Sequence, residues 1–229
     1  MSGAQSRLLL VRHGHTEWNR LGRVQGTTDV PLDSLGRAQA DRLASALAHR
    51  SIAGIFSSPL ARARETAERI RAEHRHPPSL VLLDELRELD YGRCQGLTPA
   101  QWATVDPDLE QRWRTEPWRV RFPQGETLAE LRRRADDAMA RLRDRTFDPD
   151  AETLVVAHGH ILRALLLQLC GLPAERFWTI DIPNASILTV YDGEHIGIRF
   201  EPDVHCDPQA GQRTSRVKRY RVRLSEEAE

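Results

Sequence analysis

A chain of 229 residues, 40% of them hydrophobic, is long enough to bury one core, and no Ser/Gly-rich or Pro-rich linker divides it, so a single domain over 1–229 is expected. Lys plus Arg and Asp plus Glu both number 33, leaving no bulk field to steer the molecule to nucleic acid or an anionic membrane; neither is an expected partner, and any anion recognition has to be local. Three widely spaced cysteines (Cys94, Cys170, Cys206) form no CxxC metal site or disulfide framework, no basic leader precedes an apolar segment, and no run nears the ~20 apolar residues of a bilayer span, so a soluble cytoplasmic protein is expected.

The first element is "RLLLV" (Arg7 to Val11), a short continuous apolar run that reads as a strand buried on both faces. From Arg37 to His49, Ala40, Leu43, Ala44 and Leu47 recur at helical spacing. "AGIFSS" (Ala53 to Ser58) is a second strand, and "SPLARARETAERI" then predicts a helix with Ser58 as cap and Pro59 in its first turn. Strand, helix, strand, helix is the grammar of an α/β sheet. Between Leu80 and Gly125 the pattern blurs into a Pro- and Trp-rich excursion with one or two short helices. Regularity returns at "TLAELRRRADDAMARL", where Thr127 and Glu130 match a capping box. "ETLVVAH" is a third buried strand, "ILRALLLQLCG" an apolar helix closed by Gly171, and "SILTVYDGEHIGIRF" a hairpin turning at Asp192-Gly193. In the tail, Arg219, Arg221 and Arg223 alternate with Tyr220, Val222 and Leu224, which leaves an added strand, a homodimer contact or a frayed basic end open.

Two of the apolar runs, "RLLLVRHGH" and "ETLVVAHGH", stop at His-Gly-His. Open α/β sheets bind ligands at the carboxyl ends of their strands, so if the first and third strands are neighbours, His13 and His158 emerge over one crevice. A His-x-His pair can bind zinc, but a catalytic zinc wants a third ligand, and the immediate neighbours Arg12 and Arg163 would repel a cation. An anion uses more of the local residues. Arg12 offers a fork for phosphate oxygens, Gly14 allows close backbone approach, and Gly159 opens a helix whose N-terminus favours an anion. A neutral imidazole in such a pocket can attack phosphorus directly.

"RHGHTEWN" resembles the RHG signature of the histidine phosphatase superfamily, the phosphoglycerate mutase-like family, and more closely its phosphatase branch. The resemblance runs from Leu8 to about Phe200: "NRLGRVQGTTDVPLDSLGRAQA", "SSPLARARETA", "LRELDYGRCQG", "FPQGETLAEL" and "VVAHGHILR" are similar to the family's successive blocks, in order. It implies a three-layer sandwich whose central sheet is mostly parallel and flanked by helices, with a core over about 7–200, an irregular lid over about 93–125 and a C-terminal extension over 201–229. It implies His13 as nucleophile, Arg12 and Arg62 as phosphate clamps with Arg62 in the first turn of its helix, His158 as a second, charge-stabilising histidine, and Glu88 as the proton donor. Thr16, Asn19, Gln25, Gly26 and Gly159 are implied around the phosphate, with no cofactor and no metal.

Glu85 is a rival to Glu88, and the spacing to Tyr91-Gly92 favours Glu88. Partial burial is expected to raise the pKa of Glu88 against the pull of the arginines. His15 is expected to border the entrance, and His160 to be packed or capping. Trp102, Trp113 and Trp118 among Arg112, Arg114, Arg119 and Arg121 read as a lid rather than a base-stacking surface, the four arginines suggesting a second anionic group on the substrate. The expected activity is hydrolysis of a small phosphorylated metabolite: a sugar phosphate, a phosphoglycerate derivative or a nucleotide precursor such as α-ribazole phosphate. A bisphosphoglycerate-dependent phosphoglycerate mutase is the alternative, disfavoured by the short segment between Glu88 and His158. A catalytically silent phosphometabolite-binding protein is the alternative of another class.

Overall fold

The computed structural model describes residues 7–143, 151–191, 195–200 and 220–223. In chain order these residues form β1 (Arg7–Arg12), α1 (Glu17–Arg20), α2 (Ser34–Leu47), β2 (Ile52–Ser57), α3 (Ala61–Glu73), β3 (Ser79–Leu82), α4 (Leu109–Thr115), α5 (Leu128–Arg143), β4 (Glu152–Ala157), α6 (Gly159–Leu169), β5 (Ile187–Tyr191), β6 (His195–Phe200) and β7 (Tyr220–Arg223). The strands make one sheet in the order β3-β2-β4-β1-β5-β6-β7. β3, β2, β4 and β1 are mutually parallel, while β5, β6 and β7 continue the sheet by antiparallel pairing.

Alternation along the strands sends side chains into two cores on opposite faces of the sheet. Leu9 and Val11 of β1 pack with Leu43 and Leu47 of α2 and with Ala63, Ala67 and Ile70 of α3. Leu10 joins Leu131, Ala135 and Leu142 of α5 and Leu162 and Leu165 of α6. Helices therefore cover both faces, and β4, between β2 and β1, is buried throughout. β1 leads into the α2–α3 layer and β4 into the α6 layer, so their adjacent carboxyl ends form the switch point at which such sheets open a crevice.

Several local expectations change. The helix after β2 starts later than Ser58 and Pro59: its N-cap is Leu60, whose apolar side chain offers no cap, while Ser58 Oγ accepts from Leu60 N–H at 3.3 Å and meets His158. The Thr127 and Glu130 capping box forms, with Glu130 Oε2 accepting from Thr127 N at 2.8 Å. β3 goes unmarked by any clear pattern because it is a half-exposed edge strand of only four residues. The excursion holds α4 and four 3-10 turns rather than one or two helices, and it is not a loose cover: Trp102, Trp113 and Phe122 are buried in the same core as α5 and α6. The Asp192-Gly193 turn, Cys206 and most of the tail lie outside the described residues, although β7 supplies the added strand of the tail. Among the described residues no helix is long and apolar enough to cross a membrane.

Candidate active site

Parallel pairing of β1 with β4 in the register Arg12 to Ala157 sets the two His-Gly-His copies side by side. His13 N–H donates to Ala157 O at 3.0 Å, and the rings of His13 and His158 meet edge-on with centroids 5.0 Å apart. His13 Nδ1 lies 2.6 Å from Gly14 O, which can only accept, so Nδ1 carries the proton and Nε2 keeps its lone pair. Burial, reinforced by Arg62 and Arg12, holds the imidazole well below its usual pKa and therefore neutral. Arg12 donates through one terminal nitrogen to Ile182 O at 2.6 Å, while its buried Nε has no hydrogen-bond partner. An unpaired buried donor beside a neutral imidazole suits an anionic ligand.

Arg62 stands in the first turn of α3 and is fully buried. It donates to Thr28 O at 2.8 Å and Gly26 O at 2.7 Å, and its Nε donates to His158 Nδ1 at 3.1 Å. Burial brings its pKa down to about 10, which leaves it charged at neutral pH. Because Arg62 donates into Nδ1, His158 carries its proton on Nε2 and donates to Ser58 Oγ at 2.8 Å. Burial first, then Arg62, pushes His158 well below its usual pKa. His158 is thus neutral rather than carrying the charge expected of it, and Arg12 and Arg62 supply the positive charge.

Glu88 faces this group from the loop before Tyr91. Arg134 of α5 fixes that loop by donating to the carbonyls of Glu85, Arg87 and Glu88 while its guanidinium pairs with Glu126 at 2.8 Å. The rival Glu85 turns out to the surface and pairs with Arg141 at 3.1 Å. Glu88 instead takes the N-terminus of α6: its oxygens accept from His160 N at 3.1 Å, Ile161 N at 3.2 Å and Leu89 N at 2.9 Å. The anion at that helix end is therefore the carboxylate of Glu88 itself. Burial acts to raise its pKa, as expected, but the interaction with His160 and the backbone donors outweigh it and hold Glu88 well below the usual carboxylate range. Glu88 is therefore ionised, contrary to the raised pKa expected from burial.

The remaining expected residues surround the centre in other capacities. Thr16 caps α1 and shares a capping box with Asn19, whose Oδ1 also accepts from Asn184 at 3.4 Å. Gln25 is buried with its Oε1 unpaired, and Gly26 adopts φ 54°, turning its carbonyl to Arg62. The Gly14 N–H, expected to meet an anion, instead donates to Thr66 Oγ1 at 3.3 Å, and the residue is glycine because a Cβ would collide with Gly36 O. Gly159 packs against the Arg12 guanidinium. His15 turns outward to Asp33 Oδ2 at 2.6 Å, whereas the His160 ring turns inward, with Nδ1 3.3 Å from Glu88 Oε2 and within reach of the Tyr91 hydroxyl.

Ser58, Thr66, Arg134, His160 and Asn184 were not singled out as site residues from sequence. Each acts through a contact between distant segments; Ser58, Thr66 and His160 lie within the quoted family blocks, Arg134 and Asn184 outside them. Among the described residues no three His, Cys, Asp or Glu side chains assemble as a metal-binding set. All four excursion arginines stand in exposed ion pairs, Arg112 with Asp106, Arg114 with Glu110, Arg119 with Glu116 and Arg121 with Glu130.

The sequence model of the histidine phosphatase superfamily (branch 1) matches residues 8–200. Phosphoserine phosphatase 1 of Hydrogenobacter thermophilus is 32% identical over 87% of this chain and 93% of its own. A protein of Proteus mirabilis named "Probable phosphoglycerate mutase GpmB" is 36% identical over 79% of this chain and 82% of its own. Among solved structures, a mycobacterial glucosyl-3-phosphoglycerate phosphatase superposes with a TM-score of 0.73 at 32% identity, covering 86% of this chain and 96% of that one.

Proposed function

Because this chain belongs to the histidine phosphatase superfamily, branch 1, and is a phosphatase, we propose that it hydrolyses monoesters of small phosphorylated metabolites through a phosphohistidine at His13, without a metal ion. The observation that carries this reading is the state of His13. Its Nδ1 proton is donated to Gly14 O, so the lone pair of Nε2 is available beside the buried Arg62 and the half-buried Arg12.

In the first step Nε2 of His13 takes the phosphoryl group, the bond from phosphorus to the ester oxygen breaks, and a proton from Glu88 goes to the departing alkoxide. In the second, water attacks phosphorus, Glu88 takes its proton, and inorganic phosphate leaves with His13 restored. Arg12 and Arg62 stabilise charge on the peripheral oxygens, where most of the catalytic effect of phosphoryl transfer lies. Glu88 is held well below the usual carboxylate range, so it has to take up a proton from solvent as the substrate binds. The incoming phosphate dianion supplies the cause: negative charge beside Glu88 raises its pKa. His158 stabilises a phosphoryl oxygen only by releasing Ser58, since both ring nitrogens are already engaged.

Hydrolysis of p-nitrophenyl phosphate in excess chelator is the test. Wild type is expected to turn over unchanged and to trap an acid-labile phosphohistidine on rapid quenching, and His13→Ala is expected to lose about 10³-fold or more in kcat while keeping its fold. Activity lost to chelator, or persisting in His13→Ala, would sink the mechanism. Transfer of the phosphoryl group back to a phosphoglycerate in preference to water would assign the mutase reading instead.

A further inference from the structure

Beside the phosphate-binding centre lies a cavity of about 520 Å³, in the range that holds a drug-sized organic group rather than a three-carbon acid. Its walls are formed by Val24, Tyr91, Trp102, Trp113, Trp178 and His160. The rings are braced against one another: Trp113 meets Trp178 edge-on at 5.3 Å between centroids and Tyr91 at 6.1 Å, and Tyr91 lies 5.8 Å from Trp102. Apart from Trp102 Nε1, which is buried without a hydrogen-bond partner, the polar atoms of the aromatic walls are already engaged. Trp178 Nε1 donates to Trp113 O at 3.1 Å, and the Tyr91 hydroxyl is held by His160. Arg163 also lines the cavity, but its Nε donates to Ile180 O at 2.7 Å and its guanidinium lies over the Trp178 ring at 5.1 Å. The remaining charged lining residues, Glu110 and Arg114, stand 3.9 Å from each other, with Arg114 largely exposed.

The cavity borders the place where the ester oxygen departs. His160 forms part of its wall and approaches Glu88 to 3.3 Å, and the Arg163 charge acts on both Glu88 and Arg12. An alcohol whose oxygen takes the proton of Glu88 therefore has its carbon body directed at ring faces and edges. A hydroxyl-rich sugar placed there would leave its own hydroxyls without partners, at a cost, whereas an aromatic body gains both burial and ring contacts. We infer that this cavity receives the leaving alcohol and that the preferred substrates are phosphomonoesters of alcohols carrying a fused or substituted aromatic ring. The inference rests on the phosphatase reading and specifies its substrate class.

Two esters with the same primary alkoxide leaving group, 2-(2-naphthyl)ethyl phosphate and ethyl phosphate, separate pocket recognition from leaving-group reactivity. For the wild-type protein kcat/KM is expected to favour the naphthyl ester by at least about tenfold, the lower range of what an apolar pocket discriminates. Val24→Phe, which fills the cavity from its wall, and Trp178→Ala, which removes a wall at the surface, are each expected to bring that ratio toward one. Hydrolysis of both esters with equal kcat/KM, or a ratio unchanged in both variants, would overturn the assignment of the cavity while leaving the phosphatase reading intact. Hydrolysis of neither ester, with no phosphohistidine trapped from p-nitrophenyl phosphate, would overturn the phosphatase reading and this inference with it.

Discussion

The two His-Gly-His copies end adjacent parallel strands, yet they are wired oppositely. In the first, His13 is protonated on Nδ1 because it faces a carbonyl; in the second, His158 is protonated on Nε2 because Arg62 donates into its Nδ1. The second histidines diverge as well. His15 precedes a short capped helix and swings out to Asp33, while His160 sits inside the first turn of α6, whose N–H groups hold Glu88, and its ring stacks on Phe177 at 5.5 Å. A tripeptide repeated at equivalent strand ends thus yields one nucleophile candidate, one neutral partner, one surface contact and one brace for the acid. The neighbours, rather than the tripeptide, decide which is which.

After removal of the His13 nucleophile, the largest expected effect comes from the group that sets the second copy's tautomer. Arg62→Lys keeps a cation but loses the fork that reaches Gly26, Thr28 and His158 together, so kcat for p-nitrophenyl phosphate is expected to fall by about 10²- to 10³-fold. Retention of activity within a few-fold would show that charge alone suffices there.

His160→Ala tests the brace. The imidazole lowers the pKa of Glu88, so removing it raises that pKa, keeps the acid protonated to higher pH and moves the alkaline limb of the ethyl phosphate kcat profile upward. A fall of about tenfold in kcat should accompany the shift, at the lower end of what general acid catalysis contributes. A loss of activity with an unmoved limb would reduce His160 to packing. The smallest effect belongs to His15→Ala, which removes a partly exposed pair with Asp33: stability should change by no more than about 1 kcal/mol and kcat by less than about twofold, measured by denaturant titration and steady-state kinetics.

How much of this was legible in the chain differs between its two halves. β1, β2, β4 and α6 are apolar runs whose burial on both sides leaves a local signature, and the block order pointed to Arg12, His13, Arg62, Glu88 and His158, which the structure brings together. β3 was missed because an edge strand with exposed residues lacks that signature. The excursion read as irregular because its order comes from Tyr91, Trp102, Trp113 and Phe122 packing across short turns, a pattern with no period.

The sequence by itself determined the alternation of strand and helix, the two strand ends at His-Gly-His and, through the resemblance of its motif blocks, the family, since periodicity and motif order are properties of neighbouring residues. Only the tertiary structure decided that the first and third strands are neighbours, which nitrogen of each imidazole carries the proton, that Glu88 is ionised, that Arg134 holds its loop, and that an aromatic cavity adjoins it. Those outcomes depend on donors and on burial contributed by segments tens of residues away, and proton positions follow whichever groups the fold brings within hydrogen-bond reach.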